Sequence, residues 1–217
     1  MKNGNTPKPQ TPPCLLLIAY AALAVTFAVL RPQLARADQV TPPPVPATLS
    51  VEAGHHAFLA GHAVGTQNYI CLPSGSSVAW TLFGPQATLF NADDKQVITH
   101  FLSPNPDEQG TLRATWQHAR DTSTIWAVAI QSSSDPAFVA PGAIPWLLLH
   151  VVGAHAGPTN GAKLSKTTFI QRLNTMGGAA PTDGCTSASD VGKRAFVPYE
   201  ADYFFYKATT KRTHGGD

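Results

Sequence analysis

The chain has 217 residues, 43% of them hydrophobic and 13% charged, against a charged fraction of about a quarter in ordinary globular domains. That length suits one well-buried domain and is short for two. The low charge fraction excludes a disordered polyelectrolyte, the lack of any glycine period excludes a collagen-like chain, and three Cys are too sparse for a disulfide-stapled miniprotein.

Residues 1–13 carry Lys2 and Lys8 and no acid, and Cys14 to Leu30 (CLLLIAYAALAVTFAVL) is uncharged and almost wholly apolar. Arg31, Pro32 and the pattern Ala35-Arg36-Ala37 follow. A basic start, an apolar core and a small-residue site describe a signal peptide over 1–37, cut so that the mature chain begins at Asp38. The competing reading is an uncleaved membrane anchor, the only route by which this chain would meet a membrane. Removing the leader takes away four cations and no acid, which moves the formal charge from +2 to −2. The basicity belongs to the leader, so no nucleic-acid partner is expected.

Cleavage leaves Cys71 and Cys185. In the oxidising space outside the cytoplasm, secreted or periplasmic, two Cys read most simply as one disulfide. A zinc site normally shows close-spaced Cys pairs, and a nucleophilic Cys would leave its partner unexplained.

Residues 38–54 hold Pro42, Pro43, Pro44 and Pro46, which favour an extended lead-in. Candidate strands then follow at 65–72, 77–83, 86–90, 96–102, 111–118, 124–131, 144–152, 167–175 and 198–208. Turn signals such as Pro73-Ser74-Gly75, Gly84-Pro85 and Pro104 to Gly110 separate them. Short β-branched and aromatic runs at this spacing predict an all-β antiparallel sandwich or barrel of about 8–10 strands with little helix, as a single domain over 55–209 and a tail over 210–217. The runs 125–130 and 144–152 are apolar on both faces and read as central strands buried by a facing sheet. In the last strand Tyr199, Ala201, Tyr203 and Phe205 share one face, and Glu200, Asp202, Phe204 and Tyr206 the other.

No dinucleotide fingerprint, P-loop, nucleophile elbow, H-E-x-x-H or EF-hand loop occurs, which removes most support for the enzyme classes that carry them. The histidines, His55, His56, His62, His100, His118, His150, His155 and His214, are scattered. No metal and no cofactor is expected from them, although strands can assemble ligands that lie far apart in sequence. His55, His56 and His62 fall in a Pro/Gly-rich approach to the domain where exposure is expected, while His100 sits in a strand.

The most distinctive constellation is charge embedded in strands. Arg172 lies among apolar neighbours with Asn174 on its face, and Glu200 and Asp202 share a face elsewhere. If those faces meet, Arg172 pairs with a carboxylate, either as architecture or as part of a polar ligand pocket with Gln67, Asn68 and His100. An unpaired Arg172 is not expected; backbone carbonyls are the alternative acceptors. Of the four Trp, Trp126 and Trp146 read as core, whereas Trp80 and Trp116, each beside a Thr, read as candidates for an exposed binding surface.

The strings GTQNYIC, PQATLF, ITHF, ATWQ, IPWLLL, IQRLNTMGG with APTDGC, and VPYEADYFFY occur in that order. Together they resemble a secreted family known as a domain of unknown function, number 3455, found in bacteria and fungi, over about Gly65 to Tyr206. The resemblance pairs the Cys of QNYIC with that of APTDGC, hence Cys71 with Cys185. Relatives place His, Gly-Pro and Trp close together, followed by Asp-Gly-Ser. Here an insertion separates His100 from Trp116, and Asp121-Thr122-Ser123 stands in place of the last motif. Some members carry a malate dehydrogenase label, which the missing dinucleotide fingerprint does not support in this chain.

Two functions are therefore carried forward. The favoured one is a non-catalytic module for a small polar ligand or an envelope component, drawing on Gln67, Asn68, His100, Trp116, Arg172, Glu200 and Asp202. The other is a hydrolase or metal-dependent enzyme using His100, Arg172 and Asp202. A deep pocket enclosing those three would favour the enzyme, and an exposed Trp strip would favour binding.

Overall fold

The structure is a computed structural model that describes residues 1, 3, 4 and 40–210; the apolar leader core and most of the tail fall outside them. Eight strands follow in order: β1 (His55–Ser74), β2 (Ser77–Phe90), β3 (Gln96–Asn105), β4 (Thr111–His118), β5 (Thr124–Ser133), β6 (Trp146–His155), β7 (Phe169–Gly177) and β8 (Arg194–Ala208). Each pairs antiparallel with the next, and β8 returns to β1, closing the sheet into an up-and-down barrel. Closure leaves no open edge to template aggregation. The only helices among the described residues are three-residue 3₁₀ turns.

Two expectations about the strands change. The segments 77–83 and 86–90 are one strand, because Gly84-Pro85 bends the chain without reversing it. Gly84 faces a register slip between Asn68 and Tyr69 on β1, and that bulge absorbs the bend. Strand β1 also begins at His55, before the weakly β-forming 55–64 stretch ends, because pairing with Tyr199–Ala208 of β8 supplies the ladder that local propensity does not.

Inward residues Ala63, Leu89, Ile98, Ile125, Leu149, Ile170 and Phe205 pack as one core. Leu164, fully buried on the β6–β7 connection, plugs that end of the barrel. A second apolar cluster lies on the outer face of β6, β7 and β8. There Trp146, Leu148, Phe169, Leu173, Phe204 and Tyr206 are covered by Leu49 and Val139. The Pro-rich lead-in is thus docked on the barrel. Gln171 Nε2 donates to the Leu49 carbonyl at 2.7 Å, and the Tyr206 hydroxyl donates to Gln171 Oε1. This corrects the reading of 144–152: no second sheet covers it. The barrel interior buries one face, and the lead-in with the 134–143 connection buries the other. The run 125–130 is buried only at its start, and Ile130 is exposed.

Cys71 and Cys185 form a disulfide with Cα atoms 5.5 Å apart, anchoring the β7–β8 connection to β1. Among the described residues no helix is long and apolar enough to cross a membrane.

Candidate functional site

The end of the barrel away from Leu164 is not filled. A cavity of about 150 Å³ lies there, lined by Gln67 from β1, His100 from β3, Trp116 from β4, Arg172 from β7 and Tyr203 from β8, with Leu147 and Leu149 among its apolar walls. Strand pleat puts these side chains inside: each sits an even number of residues from a core residue of its own strand, as His100 does from Ile98 and Arg172 from Ile170. His100 and Trp116 are direct cross-strand partners despite the insertion between them. Their rings stack with centroids 4.2 Å apart, and the edge of Tyr203 meets both.

The polar groups here include both donors and acceptors. His100 Nδ1 donates to the Thr115 carbonyl at 2.8 Å, which leaves Nε2 as the unprotonated nitrogen. Burial holds its pKa down at about 3, the Thr115 carbonyl opposing this and the Arg172 charge adding to it. Arg172 Nη2 donates to the Pro145 carbonyl at 2.8 Å. Arg172 has no carboxylate partner, and no Asp or Glu lines the cavity. Gln67 Nε2, Trp116 Nε1 and Arg172 Nε are buried and make no hydrogen bond of good geometry, while the Gln67 side chain lies against the Tyr199 hydroxyl and the Arg172 guanidinium against that of Tyr203. Burial raises the phenol pKa values of Tyr199 and Tyr203, and nearby Arg172 partly offsets this. Their hydroxyls lie 3.4 Å apart.

Four of the residues singled out in the sequence, Gln67, His100, Trp116 and Arg172, therefore meet in one place. Three do not. Glu200 and Asp202 face outward, where His62 Nδ1 lies 2.9 Å from Asp202 Oδ1 and His62 Nε2 lies 3.6 Å from Glu200 Oε2. Asn174, expected on the face of Arg172, joins them by donating to Asp202 Oδ2 at 2.8 Å. Its φ of 50° and the register slip between Leu173 and Met176 reverse the alternation there. Asn68 faces away from Gln67 and accepts from the Thr66 hydroxyl at 2.7 Å.

Trp116 corrects the exposure reading, being 1% exposed. Its Thr neighbours say nothing about it, because adjacent strand residues point to opposite faces. Trp80 is half-buried, with its indole N–H donated to the Asp183 carbonyl at 2.8 Å, so no Trp strip forms. Nor does a pocket enclose His100, Arg172 and Asp202 together. Tyr203 was missed as a site residue, although its face of β8 was legible; only closure of the barrel brings that face against Arg172. No cluster of three or more His, Cys, Asp or Glu suited to a metal occurs among the described residues.

The buried neutral His100 carries a pH signature. Its folded pKa of about 3 lies below the unfolded value of about 6.5, so in between only the unfolded chain takes up the proton. Stability is then complete above about pH 6.5 and falls on acidification by up to about 1.4 kcal/mol per pH unit. Between pH 6.5 and 5 the wild type is expected to lose about 1.7 kcal/mol more than His100→Gln. Denaturant midpoints across that interval measure it; parallel curves for the two proteins would refute the buried neutral state.

The departure at Asp121-Thr122-Ser123 lies at the plugged end of the barrel. Asp121 Oδ1 accepts from the Ser123 amide and hydroxyl, Oδ2 accepts from the Lys163 amide, and the Ser123 hydroxyl accepts from the Leu164 amide at 3.1 Å. Thr122 has φ 56°, the left-handed conformation that suits the Gly of the resembled motif. That motif therefore builds the plug and stands apart from the cavity.

No curated protein and no solved structure matches this chain. One family model does, across residues 52–207, which takes in every strand from β1 to all but the last residue of β8. The chain belongs to the family described as "Protein of unknown function (DUF3455)".

Proposed function

We propose that this protein is a secreted or periplasmic module that holds a small polar ligand inside its barrel without transforming it. The observation that carries this reading is a cavity inside the barrel lined by Arg172, with no acid beside it, and by Gln67 and Trp116, whose side-chain nitrogens are buried without a hydrogen-bond partner of good geometry. An unsatisfied buried donor costs about 1–3 kcal/mol, and a bound ligand would offset the cost of placing two of them beside an Arg172 that has no carboxylate partner. Secretion is supported by the Cys71–Cys185 bridge, since such bonds persist in oxidising compartments. The alternative that joined His100 and Arg172 with Asp202 has less support, because Asp202 lies on the outer face and a His of pKa about 3 is a poor base near neutrality.

Arg172→Met separates a ligand-binding role from an architectural one. Exchanging a partly buried cation for an apolar side chain of similar length is expected to change the melting temperature little. It should also abolish the stabilisation that the wild type gains from a panel of small acids, amides and alcohols, read by thermal shift. A large drop in melting temperature with the panel's effects unchanged would make Arg172 structural and overturn the reading.

A further inference from the structure

Resting on that internal site, we infer that its ligand is a short monocarboxylate, with the carboxylate toward Arg172, Trp116 and Gln67 and the hydrocarbon end against Leu147 and Leu149. Charge, hydrogen bonding and size each narrow the class.

The cavity contains one permanent cation and no acid. Arg172 reaches the carbonyl of Pro145 and the Tyr203 hydroxyl, dipoles that do not neutralise it, so a ligand with a single negative charge completes the site. A dianion such as a phosphate monoester would bring a second charge with no partner.

The unmatched groups, Gln67 Nε2, Trp116 Nε1 and Arg172 Nε, are all donors. Two of them belong to residues that are almost fully buried, Gln67 at 2% and Trp116 at 1% exposure. A carboxylate is a pure acceptor with about four lone-pair sites, enough for all three. A neutral sugar hydroxyl brings its own proton and needs acceptors. His100 Nε2, left unprotonated by the bond to Thr115, and Gln67 Oε1 are such acceptors, so it is the Arg172 charge that favours a carboxylate over a hydroxyl.

A volume of about 150 Å³ is far above the roughly 10–15 Å³ that holds one water and is of small-molecule size. That suits propionate or butyrate better than a lipid, nucleotide or oligosaccharide. The rest of the wall, which includes Ala114, Ala127, Leu147 and Leu149, is apolar and suits a short hydrocarbon end.

The test titrates the intact mature protein with propionate, butyrate, propionamide, propanol and succinate, following the Trp116 indole N–H resonance by NMR, assigned with Trp116→Phe. Propionate and butyrate are expected to shift that resonance and saturate, with propionamide at least about ten-fold weaker because a charge-assisted hydrogen bond is replaced by a neutral one. Succinate should likewise be weaker than butyrate. Propionamide or succinate binding as tightly as the monocarboxylates would overturn the ligand class and leave an internal small-molecule site standing. No shift with any of the five at millimolar concentration would overturn the internal site along with it.

Discussion

Replacing Cys71 and Cys185 together by Ala is expected to lower the stability of the barrel by about 4–5 kcal/mol, the chain-entropy value for a loop of this length. The bridge joins residues 114 apart in sequence, so it restrains more than half of the 217-residue chain when unfolded. In the folded state it adds little local order, because backbone bonds already tie the same neck: the Cys71 amide donates to the Lys193 carbonyl and the Gly192 amide to the Cys71 carbonyl, both at 2.9 Å. The effect therefore acts on the unfolded ensemble. Guanidinium midpoints of the oxidised wild type, the reduced wild type and the double variant measure it. Reduction alone should reproduce most of the loss, and the remaining difference reports the packing lost at Cys71, which is fully buried. A reduced wild type as stable as the oxidised protein would show that the unfolded chain is not loosened by opening the bridge.

Gly65→Ala is expected to cost at least about 3 kcal/mol, at the severe end for overpacking. Gly65 stands opposite Ala87 where β1 turns across β2. A Cβ there would lie 2.1 Å from the Gln86 carbonyl oxygen and 2.5 Å from Ala87 Cα. Both are backbone atoms, so no rotamer change relieves the clash and the two strands must separate. Glycine within a strand commonly marks such a close approach. Gly75 in the β1–β2 turn is the control. It has φ +60° with nothing within 4 Å of its Cβ position, so Gly75→Ala should cost only the left-handed penalty of about 1–2 kcal/mol. Thermal unfolding of the two variants side by side tests this, and a milder effect at Gly65 than at Gly75 would remove the close approach as the cause.

The site lies next to this approach. Gln67 is two residues on from Gly65 and shares its inward face, and Ala87 pairs with both Gly65 and His100. The geometry that demands a glycine thus also sets the spacing between the Gln67 amide and the His100 ring. A packed core at one end and a donor-lined cavity at the other follow from a single choice, small residues (Ala63, Gly65, Ala87) on the inward faces of β1 and β2. They draw the strands together and leave the inward space to Trp116, Arg172 and Tyr203.

The sequence by itself determined the all-β class, the disulfide partners and the division of faces within strands. β-branched runs, turn residues and period-two alternation are local properties, and Cys71 and Cys185 are the two Cys beyond the apolar N-terminal run. It also singled out Arg172, since an ion among Phe169, Ile170 and Leu173 must find a partner. Which partner was decided by the tertiary structure. Alternation says that Glu200 and Asp202 share a face, but not whether that face turns inward, and closure of β8 on β1 turned it outward to His62. Asn174 left the face of Arg172 because one bulged residue reverses strand parity. Trp116 turned inward with Ala114, and the Pro-rich lead-in became a cover because the outer faces of β6, β7 and β8 carry apolar residues that something must bury. Local pattern sets what each strand offers on its two sides; only the closed register decides which sides meet.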